Sequence, residues 1–140
     1  MSESVIFLDL DGPIFDKGKP ISEAIQCLTE LVKMTQASIV ITSSWRIGTT
    51  LDQLKSRLNG IPGFPSLSVV GMTDVIYYHE LEISRGAEID IYLREHPEIK
   101  KYVIIDDEEI VLLNQLPNFV QPGIQGFHGQ YFRDALKLLG

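Results

Sequence analysis

Val5-Ile6-Phe7-Leu8-Asp9-Leu10-Asp11-Gly12 is a short run of β-branched, aromatic and aliphatic residues that ends in two acids and a glycine. An uninterrupted apolar run of this length is the pattern of a strand buried on both faces of a parallel sheet. Tyr102-Val103-Ile104-Ile105-Asp106-Asp107 has the same form, roughly a hundred residues later. In open parallel sheets, ligands lie beyond the carboxyl ends of the strands, which is where both acidic doublets fall. If the two strands are neighbours, up to four carboxylates converge. Such a cluster stays ionised at low cost only around a cation, and an all-oxygen donor set favours Mg²⁺.

Outward from these strands, the chain alternates between element types. Pro13 to Pro20 reads as loop, and Ser22 caps an amphipathic helix carrying Ile25, Leu28, Leu31 and Val32. Ala37 to Ile41 is a second buried strand, ended by Thr42-Ser43-Ser44. Thr49 or Thr50 opens a helix that Asn59-Gly60 stops, and residues 61–65 are loop. Ser68 to Val70 is a third strand, and Ser84 caps a helix with Ile89, Tyr92 and Leu93 inward, closed at His96-Pro97. Beyond Asp107, Ile110 to Leu116 is expected to form a short helix, Phe119-Val120 a last strand and Gln130 to Leu139 a terminal helix. Alternating strands and helices predict right-handed βαβ units. The expected fold is α/β: a three-layer α/β/α sandwich around a mainly parallel, Rossmann-like sheet.

The chain has 140 residues, which predicts one domain over 1–140. Its net charge of −7 argues against a broad basic surface for coating nucleic acid or anionic membrane, yet permits contact with a nucleic-acid end. Cys27 is the only cysteine, which rules out an intrachain disulfide; its helical position is that of a small core residue. The start Met1-Ser2-Glu3-Ser4 lacks the features of a signal peptide, and no apolar stretch approaches the ~20 residues that span a bilayer. A cytoplasmic protein is expected.

A strand-terminal carboxylate with a second acid two residues on suits attack on phosphorus. Asp9 would be the nucleophile and Asp11 would move the proton, while a metal held by Asp9 keeps that group ionised. Gly12 allows a sharp turn close to a phosphate. An EF-hand also opens Asp-x-Asp, but its sixth and twelfth positions would here be Ile14 and Pro20 instead of Gly and Glu.

These residues resemble the haloacid dehalogenase-like (HAD) phosphohydrolases, whose four motifs appear in order. The first matches residues 5–12, the second Thr42 in Ile39-Val40-Ile41-Thr42-Ser43-Ser44, the third Arg85 and the fourth Asp106-Asp107. Within that group Thr42-Ser43-Ser44-Trp45-Arg46, Val69-Val70-Gly71-Met72-Thr73 and Arg85-Gly86-Ala87-Glu88-Ile89 are similar to the small HAD domains of Swiss Army Knife RNA repair proteins. Pro13 stands where that family usually has Thr or Val, and Arg85 where Lys is commoner. The resemblance implies a Mg²⁺-dependent phosphatase working through an aspartyl-phosphate. Thr42 would bond the phosphoryl oxygens, Arg85 would offset their charge, and Asp9, Asp11, Asp106 and Asp107 would form the metal site, Asp11 through its backbone carbonyl.

Plainer readings stand beside these. Thr42 could cap the next turn, with Ser43 its rival for the hydroxyl role. Arg85 could be an ordinary helix-start residue, and Asp106-Asp107-Glu108-Glu109 an acidic helix N-terminus. Arg46 has some prospect of touching a substrate phosphate; Trp45 reads as core, and His79, His96 and His128 show no zinc spacing. A signalling receiver domain would need its phospho-acceptor strand between the acidic pair and the Thr, and motif order decides against it; an inactive interaction module on this fold remains. About 30 residues separate the first and second motifs and about 42 the second and third, which leaves no room for a separate cap domain. An open site suits a macromolecular phosphate, on an RNA or DNA end or a phosphoprotein. A loop over residues 73–82 could form a partial lid, with Tyr77 and Tyr78 either stacking a base or packing over the sheet edge.

Overall fold

The structure, a computed structural model, describes residues 3–140; Met1 and Ser2, which entered only the reading of the N-terminus, lie outside the described residues. Its elements are β1 (Ser4–Leu8), β2 (Phe15–Asp16), β3 (Lys19–Pro20), α1 (Ser22–Thr35), β4 (Ser38–Ile41), α2 (Leu51–Asn59), β5 (Val69–Met72), β6 (Tyr77–Tyr78), β7 (Leu81–Glu82), α3 (Arg85–Glu95), β8 (Lys101–Ile105), β9 (Phe119–Val120) and α4 (Gly129–Leu139). Five strands form one all-parallel sheet in the order β5-β4-β1-β8-β9. Numbered by their succession in the chain, that order is 3-2-1-4-5, which is Rossmann-like and not the 2-1-3-4-5 order of receiver domains. The α/β/α expectation holds. No described helix is long and apolar enough to cross a membrane.

Alternation along each strand builds two cores, which is why the strands read as unbroken apolar runs. Ile6 and Leu8 of β1 face a core shared with Leu28 and Leu31 of α1, Leu54 and Leu58 of α2, and Ala135 and Leu139 of α4. Val5 and Phe7 face the other side, where Ile89 and Tyr92 of α3 close the sheet. Phe7 meets Tyr92 and Tyr102 edge-on, at ring-centroid distances of 5.7 and 5.8 Å. With α3 alone on one face and the other helices opposite, the chain changes direction between β1 and β8. The crevice that this reversal opens lies above their carboxyl ends.

Local signals set several element ends. The Thr50 hydroxyl accepts from Gln53 N at 3.2 Å while the Gln53 side chain accepts from Thr50 N at 3.0 Å, a complete capping box for α2. Ser84 caps α3 by accepting from Ala87 N at 3.2 Å. Other ends depart from the sequence reading. Ser22 is the first helical residue of α1 and not its cap; the cap position is Ile21, held by donation from its N–H to Ile14 O at 2.8 Å. The helix expected over 110–116 is a 3₁₀ turn over Leu113–Asn118, with Pro117 inside it. The loops expected over 13–20 and 73–82 each contain a small antiparallel hairpin, β2–β3 and β6–β7.

Arg46 departs most from expectation. Rather than facing a substrate, its guanidinium is buried between β5 and α3. Nε donates to the Thr73 hydroxyl at 3.1 Å, and Nη2 pairs with Glu88 and, at 3.3 Å, with Glu82. The second Glu88 oxygen accepts from Ile76 N at 2.9 Å, so one ion pair ties the turn after β4 to both flanks of the β6–β7 hairpin. Burial pushes the Glu88 carboxyl up from its ordinary range despite bonds to Ile76 N and Arg46 that act the other way. Removing one partner of a fully buried pair strands the other charge. Arg46→Leu is therefore expected to lose about 3–5 kcal/mol in urea unfolding, most of it regained in the Arg46→Leu/Glu88→Leu double variant. A single variant within ~1 kcal/mol of wild type would show that the pair does not anchor the hairpin.

Candidate active site

Strand register assembles the site. Leu8 lies opposite Ile105 on β8 and Ile41 on β4, so the residues just past these ends, Asp9, Asp106 and Thr42, come side by side. Backbone bonds carry the register past the strands: Asp9 N donates to Ile105 O at 2.9 Å and Thr42 N to Leu8 O at 2.9 Å. Asp9 and Asp106 are 3% and 2% exposed. Arg85, at the start of α3, places Nη1 3.2 Å from Asp9 Oδ1 and 3.1 Å from Asp106 Oδ2. The other Asp106 oxygen accepts from Glu108 N at 2.9 Å, which fixes the carboxyl and turns the chain. Asp107 reaches the cluster over Gly12. That glycine has φ +104°, and a Cβ there would overlap the Asp107 carboxyl, so Gly12 serves an acid as well as a turn.

Among the described residues, Asp9, Asp106 and Asp107 form a group whose ligand oxygens lie within 4.8 Å of one another. One guanidinium pairs with two of the three acids. Burial pushes Asp9 up to about 8, with repulsion from Asp106 adding to it and Arg85 only partly relieving it. Burial raises Asp106 as well, against the Glu108 amide and Arg85. Burial alone would lower the Arg85 pKa, but the attraction of Asp9 and Asp106 outweighs it and raises the value. The donor set is all oxygen with excess negative charge, which fits a hard divalent cation such as Mg²⁺.

The remaining sequence candidates separate. Asp11 is exposed and its carboxyl is not part of the three-acid group; it accepts from Trp45 Nε1, which lies 3.1 Å from each of its oxygens. Thr42 Oγ1 is buried with no hydrogen-bond partner. The Ser43 hydroxyl is taken up by its own turn, accepting from Trp45 N at 3.3 Å. Of the two, the free polar atom beside Asp9 is that of Thr42. Trp45, read from sequence as core, packs half-buried against the larger core and also touches the proposed proton-transfer acid through its indole N–H; the only advance signal for that contact was adjacency to the second motif.

A 3-2-1-4-5 parallel sheet, with an acid pair beyond its first strand, a hydroxyl beyond the second and a cation and acids meeting at the switch point, defines a HAD-like domain, a class of phosphohydrolase type that generally uses Mg²⁺. The chain belongs to the family described as the HAD domain in Swiss Army Knife RNA repair proteins, whose sequence model matches residues 5–127. No curated protein and no solved structure matches the chain.

The cluster makes a pH prediction. Because Asp9 titrates near 8 in the fold and near 3.8 when unfolded, the fold retains a proton that the unfolded chain gives up across that window. In EDTA, stability should therefore fall as pH rises from about 5 to about 8. Mg²⁺ binds the deprotonated carboxylates, so millimolar Mg²⁺ should raise Tm most at the alkaline end and flatten the profile. Scanning calorimetry of wild type and Asp9→Asn checks this: the variant should lose most of the slope, and an equal slope in both would remove Asp9 as its source.

Proposed function

We propose that this chain is a Mg²⁺-dependent phosphomonoesterase that forms an aspartyl-phosphate on Asp9 and acts on a phosphate at a nucleic-acid terminus. The unpartnered, buried Thr42 hydroxyl beside Asp9 carries the reading, because a buried polar group without a partner is costly and a phosphoryl oxygen is the partner its position suits. Asp9 attacks phosphorus as the bond to the leaving oxygen breaks, and Asp11 gives that oxygen a proton. Water then attacks the aspartyl-phosphate, Asp11 takes up its proton, and phosphate departs from Asp9. Arg85 and Thr42 bond the phosphoryl oxygens throughout. When bound by Asp9, Asp106 and Asp107, Mg²⁺ supplies charge neutralisation for the nucleophile and the phosphoryl group.

The macromolecular substrate is supported by what surrounds the crevice. A cavity of about 450 Å³ lined by Gly12, Asp16, Asp107, Gln121 and Pro122 opens beside the acids. On the β5–α3 connection stands only the β6–β7 hairpin, too small to enclose a metabolite. The family description places such domains in RNA repair proteins, which favours an RNA end over a phosphoprotein.

Asp9→Asn should lower turnover of an aryl phosphate by at least about 10³-fold with an unchanged circular dichroism spectrum; turnover equal to wild type would sink the mechanism. Wild type assayed with and without Mg²⁺ on 3′- and 5′-phosphorylated oligonucleotides, phosphopeptides and nucleotides should favour an oligonucleotide, and a phosphopeptide preference would replace that substrate class.

Tyr77 and Tyr78 are 56% and 70% exposed instead of packed over the sheet edge. Base stacking on aromatic rings contributes about 1–3 kcal/mol per base. Tyr77→Ala/Tyr78→Ala should raise KM for the oligonucleotide about tenfold or more while leaving KM for an aryl phosphate unchanged; equal effects on both would remove stacking.

A further inference from the structure

The environment of Trp45 is built around its indole N–H. The residue sits in the 3₁₀ turn Ser44–Arg46, held at its start by the Ser43 hydroxyl and at its end by the buried Arg46 ion pairs. Phe15, from the hairpin that follows the first motif, packs on the ring at 4.8 Å between centroids. The Arg57 guanidinium of α2 lies 3.8 Å from the ring centroid. Three separate parts of the chain thus fix the plane of one aromatic ring, and its N–H lies 3.1 Å from both oxygens of Asp11.

An exposed carboxylate ordinarily samples several rotamers, and proton transfer depends steeply on position. A donor that faces both oxygens selects one orientation. Indole also has no acceptor, so it cannot take the proton from Asp11 itself. Because it is neutral, it orients the acid without fixing it as a permanent ion pair, as a Lys or Arg at the same place would. The nearby cation is applied to the ring face, where it strengthens the platform, and not to the carboxyl.

We propose that Trp45 is a positioning residue for proton transfer at Asp11, with Arg57 and Phe15 clamping its ring; this rests on the reading of Asp11 as the acid and base of the phosphatase. In the first step an Asp9 carboxylate oxygen bonds to phosphorus as the phosphorus–oxygen bond to the leaving group breaks, the electron pair of the broken bond stays on the leaving oxygen, and that oxygen takes the Asp11 proton. In the second, water oxygen bonds to phosphorus, the water proton returns to Asp11, and the bond from phosphorus to Asp9 breaks.

The test is leaving-group dependence of kcat/KM, which reports steps through departure of the first product. Wild type, Trp45→Phe, Arg57→Leu and Asp11→Asn are compared, with Mg²⁺, on an alkyl phosphate, phenyl phosphate and 2,4-dinitrophenyl phosphate. Dinitrophenolate needs no proton to leave. Trp45→Phe should lose about 10- to 100-fold on the alkyl and phenyl esters and stay within about twofold on the dinitrophenyl ester, following Asp11→Asn in direction with a smaller loss. Arg57→Leu, which keeps the indole, should show a weaker version of the same selectivity, and it stands in where Trp45→Phe fails to fold. A uniform loss across the three esters, or no loss, would overturn the proposal while selective loss in Asp11→Asn leaves the phosphatase mechanism intact. If Asp11→Asn itself shows no selectivity, the proton role of Asp11 fails and the positioning role of Trp45 falls with it.

Discussion

The structure depends on holding two buried carboxylates next to each other. Asp9 and Asp106 end neighbouring parallel strands, and the cost of burying two acids side by side is borne by the strands locked below them. Leu8 and Ile105, fully buried, sit directly under the pair, and the Asp9 amide extends the ladder by one more bond. Hydrophobic burial in two cores thus holds together two acids that water would otherwise solvate separately. Burying an aliphatic or aromatic side chain contributes about 1.5–3 kcal/mol, and several such residues lie beneath the pair. The fold supplies a high-energy carboxylate pair, and a divalent cation or a transferring phosphoryl group paired with Arg85 is what that pair can use.

Much of this was legible because it is local. Unbroken apolar runs ending in acids gave the buried parallel strands, and Thr50, Ser84 and Gly60 gave helix ends through short-range bonds. The convergence of Asp9 with Asp106 followed from placing both strands in one parallel sheet. What escaped the sequence reading depends on contacts distant in the chain. Arg46 stood beside a motif and looked available, but its partner Glu88 is 42 residues away. Trp45 and Asp11 are 34 residues apart, and nothing in either neighbourhood marks them as a pair. Ser22 failed as a cap because the chain entering α1 is held by the preceding hairpin, through Ile21 N and Ile14 O.

The departures from the family pattern also find physical places. Pro13 cannot donate through its nitrogen, and the turn after Gly12 closes instead through Ile14 N and Phe15 N, both donating to Leu10 O. Its carbonyl accepts from Phe127 N at 2.8 Å, which ties the first-motif turn to the segment leading into α4. Arg in place of Lys at position 85 is not a neutral exchange. A planar, delocalised cation can lie against two acids while remaining fully charged, and Nη1 bridges Asp9 and Asp106 in this way.

Arg85 nonetheless sits where a cation is disfavoured, at the positive end of the α3 dipole, so something besides local preference must hold it there. Gly86 provides it. Glycine in the second position of a helix gives up stability of order 1 kcal/mol relative to alanine, yet here a Cβ would come within 2.8 Å of Val111 Cα, Leu112 N and Gln115 Oε1. The segment that follows Asp106-Asp107 therefore crosses directly over the start of α3. It is bonded there by Gly86 N donating to Ile110 O at 2.9 Å and Gln115 Nε2 donating to Gly86 O at 2.8 Å. The same crossing helps keep residues 110–112 out of a helix: Ile110 O is taken up by Gly86 N of α3 and Leu112 N by Gln115 Oε1, and helical turns begin only at Leu113. The cation and the acids it faces are thus joined twice, once by charge and once by a backbone contact that only glycine permits. The second link holds Arg85 in place independently of its carboxylate partners.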